Sequence, residues 1–116
     1  MGYGNGPTYG FPWGVVALTD GATISTDAAT GATFTVTLGG NRTMANPTNP
    51  THGQKIIYRI RQDTIGNRLI TWGSAFRFAG GAAPVLTTAA NKTDYLGFIY
   101  HASDAKWDCI AERTGF

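Results

Sequence analysis

His52 and His101 are the two histidines of this chain, and Cys109 is its one cysteine. A metal centre needs such residues clustered, as in His-Glu-x-x-His or Cys-x-x-Cys, and no such spacing occurs here. His52 follows a proline-rich loop and His101 ends a strand pattern, so both read as solvated turn histidines. Glycoside hydrolysis needs two opposed carboxylates. Asp20, Asp27, Asp63 and Asp104 fall where turns are expected, and a turn carboxylate bonds its own backbone. Asp94, Asp108 and Glu112 lie on strand patterns, with nothing that singles them out. The glycine-rich stretches lack the Lys-Ser/Thr of a phosphate loop. Cys109 alternates with apolar residues and is expected to be a buried, inert thiol. No catalytic residue, metal or cofactor is expected, and the chain reads as a non-enzyme.

Basic residues do interleave with aromatics: Lys55, Tyr58, Arg59, Arg61, Arg68, Trp72 and Arg77. A single-strand nucleic-acid groove is built that way. A net charge of +2 is too weak for such a binder, so these residues read instead as the outer face of a sheet. Asp63, Asp94 and Glu112 are the expected partners of these arginines. No apolar run approaches the roughly 20 residues of a membrane helix. The start, Met-Gly-Tyr-Gly-Asn-Gly, has neither the basic nor the apolar part of a signal peptide.

The elements that must position these groups are strands. No segment sustains an apolar period of 3.6. Thr33–Leu38 alternates cleanly, with Phe34, Val36 and Leu38 to one side and three threonines to the other. In Gln54–Asp63, Ile56, Tyr58 and Ile60 share a core face, while Ile57, Arg59 and Arg61 share the opposite one. Thr93–His101 and Lys106–Glu112 form a hairpin over Ala102–Ala105, the second strand placing Trp107, Cys109 and Ala111 on one face. Gln54–Trp72 reads as another hairpin turning at Ile65–Asn67, Asp20–Gly21 as a hairpin turn, and Val85–Thr88 as a short strand. No internal repeat is evident. The expectation is an all-β domain over residues 15–116, a β-sandwich or jelly-roll-like fold of about eight to ten short antiparallel strands. Only 14% of residues are charged, and a surface so poor in charge suits cover by other subunits.

Residues 1–14 form an extended arm whose Gly and Pro deny regular structure. Its aromatics Tyr3, Tyr9, Phe11 and Trp13 are too many for a solvated tail. Such an arm either folds back on its own domain or anchors in a groove of another protein.

Asp20-Gly21-Ala22-Thr23-Ile24-Ser25-Thr26-Asp27, Thr37-Leu38-Gly39-Gly40-Asn41-Arg42-Thr43 and Asn46-Pro47-Thr48-Asn49-Pro50-Thr51 carry a resemblance. It continues through Leu69–Phe78, Asp94–Tyr100 and Lys106–Cys109. Together these stretches resemble a β-sandwich module of tailed-bacteriophage virions, found in capsid decoration and head-fibre proteins and at the ends of tail fibres. The resemblance implies a structural protein without enzymatic activity, commonly a homotrimer. No coiled coil, β-helix or long shaft is evident, and a protein without a shaft suits a decoration role. The expected function is a trimeric cement or head-fibre protein on the capsid exterior, assembled in the host cytoplasm. Tyr3, Tyr9, Phe11 and Trp13 would grip the major capsid protein, and Ile57, Arg59 and Arg61 would form the subunit seam. The alternative is a receptor- or glycan-binding module of a tail fibre or tail tip, with Trp72, Trp107 and Tyr100 stacking on host-surface sugars. In the competing reading those tryptophans fill the core.

Overall fold

The structure is a computed structural model that describes residues 14–116. Tyr3, Tyr9, Phe11 and Trp13, the expected capsid-gripping residues, lie outside the described residues. The described chain is all-β: β1 (Val15–Ala17), β2 (Thr23–Ile24), β3 (Thr33–Leu38), β4 (Arg42–Met44), β5 (Lys55–Gln62), β6 (Ile70–Trp72), β7 (Phe76–Arg77), β8 (Thr93–His101) and β9 (Lys106–Arg113). Two short 3-10 turns, Ala28–Thr30 and Ala79–Gly81, interrupt them. A six-stranded sheet has the order β1-β3-β5-β8-β9-β7, and a three-stranded sheet has the order β2-β4-β6.

Strand direction departs from the sequence expectation. β1, β3 and β5 pair in parallel, as do β2, β4 and β6. The chain therefore winds three times between the two sheets, and each turn lays one strand on each stack. This is a short parallel β-solenoid, which corrects the expectation that the chain holds no β-helix, one of the grounds for a decoration role. Among the described residues only β5–β8 and β8–β9 are antiparallel strand pairs, and the latter is the expected hairpin. The expected 54–72 hairpin does not form, because β5 and β6 belong to different sheets. Asp20–Gly21 is likewise a corner between sheets. Residues 85–88 are not a strand.

The coils stack like on like. Val16, Phe34 and Tyr58 make one inward column, and Ile24, Met44 and Trp72 the facing one. Thr23, Thr43 and Thr71 make an exposed column of identical residues. Alternation then decides burial: Phe34, Val36, Leu38, Ile56, Tyr58, Ile60, Leu96 and Phe98 are all in the core. Burying each such side chain contributes about 1.5–3 kcal/mol.

Trp72 from the smaller sheet and Phe76 and Phe98 from the larger one surround Tyr58, with centroids of 5.0 Å for Trp72–Phe76 and 5.1 Å for Phe76–Phe98, and Phe78 packs on Trp72 and Phe98. Tyr58 brings a hydroxyl into this cluster, and it bonds Thr26 Oγ1 at 2.7 Å. Trp107 is fully buried against Tyr100, at 4.9 Å.

Side chains hold what the ladders do not. Buried Asp94 accepts from the Thr87 amide at 2.6 Å and the Gly115 amide at 2.9 Å, tying two irregular segments to β8. Buried Gln62 exchanges two bonds with the Arg68 backbone, both 2.9 Å. These bonds satisfy polar groups that burial would otherwise leave costly.

Candidate functional site

Two surfaces carry unsatisfied chemistry. The first is the outer face of the six-stranded sheet. Register places Thr35, Arg59, Tyr95 and Arg113 in one row across it, and Thr33, Ile57, Gly97 and Ala111 in the next. The alternation in β5 thus does what its residues dictate: Ile57 is 43% exposed while Tyr58 beside it is sealed. Arg59 donates to Tyr95 Oη at 3.3 Å and Thr35 Oγ1 at 3.4 Å, and Arg61 to Asn91 Oδ1 at 3.5 Å. These partners are neutral, so both guanidiniums keep their charge unpaired among the described residues. Ile57, Arg59 and Arg61 share this face.

The second surface is a cleft beside β9. β7 runs along β9 only at Phe76–Trp107 and Arg77–Asp108. The chain then veers off through Ala79–Gly81, where Gly80 and Gly81 take positive φ. Residues 109–113 are left with no strand on that side among the described residues. The gap is a cavity of about 360 Å³, walled by Phe78, Ala79, Ala82, Pro84, Cys109, Ile110, Ala111, Glu112 and Arg113. Ile110 is an extra residue in β9, because the register shifts where Gly97 meets Ala111 and Phe98 meets Cys109. This bulge turns Ala111 away from the face of Trp107 and Cys109, correcting the sequence expectation, and it was not legible from alternation. Glu112, opposite the core residue Leu96, opens into the cleft. Burial raises the Cys109 thiol pKa and keeps it protonated at neutral pH.

Elsewhere, three arginines hold four aspartates. Arg42 clamps Asp20 at 2.8 Å, and Arg68 binds Asp63 at 2.9 Å. Arg77 bridges Asp104 and Asp108 at the start of β9. The Arg77 guanidinium holds the Asp108 carboxyl below its usual range, and Arg42 does the same for Asp20. Of the arginine partners expected from sequence, Asp63 pairs with Arg68; Asp94 serves backbone amides instead, and Glu112 binds no arginine.

The histidines come together across fifty residues, a contact the sequence hid. Their rings lie edge-on at 4.6 Å, His52 Nδ1 accepts from the Ala102 amide at 3.1 Å, and His101 Nδ1 bonds Ser103 Oγ at 2.8 Å. They join the loop before β5 to the β8–β9 turn. No group of three or more His, Cys, Asp or Glu among the described residues could hold a metal.

The tryptophans proposed for sugar stacking are taken up by packing. Trp107 is sealed, and Trp72 sits in the cluster around Tyr58.

Residues 17–104 match the family model described as "Putative phage tail fibre C-terminal domain". The match spans β2 to β8 and stops before β9. No curated protein and no solved structure matches the chain.

Proposed function

This chain belongs to the phage tail fibre C-terminal domain family, and on that premise we propose that it is a structural, non-enzymatic module of a phage tail fibre. Membership makes it a structural phage protein, and the match carries the reading. It favours the tail-fibre assignment over capsid decoration, because the family is described by tail fibres. The use of the carboxylates supports a non-enzymatic role. Asp20, Asp63, Asp104 and Asp108 are spent on arginines, and Asp27 and Asp94 on backbone amides. The proposed module works as an oligomer, a homotrimer, assembled through the sheet face of Ile57, Arg59 and Arg61. Its free exterior would meet the host surface.

Virion imaging tests the location. Antibody raised against the chain, followed by gold labelling, should mark a few sites at the fibre ends. Dense labelling over the head would overturn the tail-fibre reading and restore capsid decoration.

A further inference from the structure

The ion pairs of this domain leave an uneven remainder. Asp20, Asp63, Asp104 and Asp108 are each bonded to one of Arg42, Arg68 and Arg77. Asp27 and Asp94 accept from backbone amides. Glu112 is the one acidic side chain with neither kind of partner among the described residues. Opposite in sign, Lys55, Arg59, Arg61 and Arg113 share the outer sheet face, and none is bonded to a carboxylate. Like charges oppose two copies meeting through this same face.

Glu112 cannot answer Arg59 within one chain. It sits on the core side of β9, opposite Leu96, whereas Arg59 lies on the outer side of β5 with β8 between them. Arg113, next to Glu112, donates to its carbonyl at 2.8 Å and leaves the carboxylate unengaged. Each patch also has an exposed apolar residue beside its charge: Ile57, 43% exposed, on the face, and Ile110, 58% exposed, at the cleft. An apolar centre with polar surroundings is the anatomy of a protein interface.

We propose that the outer sheet face of one copy seats on the β9 cleft of a second copy, bringing Arg59 and Arg61 to Glu112 and Ile57 to Ile110 and Pro84. The two patches differ, so the contact is heterologous. Repeated, it runs head to tail and closes into a ring when the rotation allows. This inference rests on the reading of the chain as a self-associating module and assigns the surface that was missing from it.

Molar mass in solution, by light scattering, tests it through charge reversal. The wild-type chain should be oligomeric. Arg59→Glu with Arg61→Glu, and separately Glu112→Arg, should each weaken association by about tenfold or more. Mixing the two variants should restore association, with the variants alternating, because each face then meets a cleft of opposite charge. All three changes in one chain should restore the oligomer. Circular dichroism establishes that the variants are folded, and Glu112→Gln with Arg59→Gln serves if reversal unfolds them. Oligomers insensitive to every variant would overturn the seam while leaving self-association intact. Variants that dissociate yet do not pair on mixing would overturn the heterologous arrangement. A monomeric wild type would overturn the seam and self-association together, and its capture by a polyanion would assign the cationic face to that ligand; the imaging test of tail location is independent of all these outcomes.

Discussion

Tyr58 holds a polar group at the centre of an aromatic cluster. Its hydroxyl and that of Thr26 satisfy each other at 2.7 Å, and burial raises the phenol's pKa so that it stays protonated. Tyr58→Phe should destabilise the fold by about 1–3 kcal/mol, since the Thr26 hydroxyl is then buried without its partner. Adding Thr26→Val should recover part of that loss, as chemical denaturation would measure. Asp63 offers a test by pH. The Arg68 guanidinium and the Gly66 and Ile65 amides lower its pKa from 3.8 to about 2. A lowered folded-state pKa means the fold favours the carboxylate. Its contribution is therefore present above the unfolded value and lost as pH falls through the folded one. The stability difference between the wild type and Asp63→Asn should hold at neutral pH and close between about pH 4 and pH 2. A gap that does not change over that range would sink the assignment. At this scale the sequence was readable where a residue acts on its own neighbours: Asp27 caps Ala29 and Asp63 bonds its own turn, as turn carboxylates do. It was silent on His52 with His101 and on Tyr58 with Thr26, which only the tertiary fold brings together.

Among the elements, β3, β5 and β8, and β9 as far as Cys109, were legible because their alternation is long enough to fix which face is buried. Their pairing was not. Parallel and antiparallel strands share the same period of two, so alternation says nothing about direction. The coils also repeat by stacking while their lengths differ: Val15 sits over Thr33 and Thr33 over Ile57, with the two-proline stretch 46–50 inside the second interval. The surviving signal is a threonine followed by a large apolar residue, at Thr23-Ile24, Thr43-Met44 and Thr71-Trp72. Gly66 shows how tightly a corner can be made. It has φ of +78°, and a Cβ there would meet the backbone at Thr88 and Ala90. Other corners are open: at Gly53, φ +80°, a Cβ would meet nothing within 4 Å. Loop entropy changes by only about 0.6 kcal/mol per doubling of length. Six polar residues inserted after His52 should therefore leave the thermal midpoint within a few degrees of wild type, measured by calorimetry. A collapse of the midpoint would mean that the loop, with its His52–Ala102 bond, holds the stack together.

For the whole molecule, composition and alternation gave an all-β chain, and the resemblance gave a phage virion module; both stand. Head or tail was beyond residue patterns, because alternation fixes which face is buried and not what the exposed face meets. The three coils also differ in how firmly they are held. β1 is joined to β3 through three residue positions, β3 to β5 through six, and β5 to β8 through seven. Tension applied at residue 14 along the strands reaches β1 first and strains its few hydrogen bonds in shear. The outermost coil yields before the stack around β5 and β8 is disturbed. Pulled from that end, the domain should give up the short length of its outermost coil first, while the hairpin end keeps its shape.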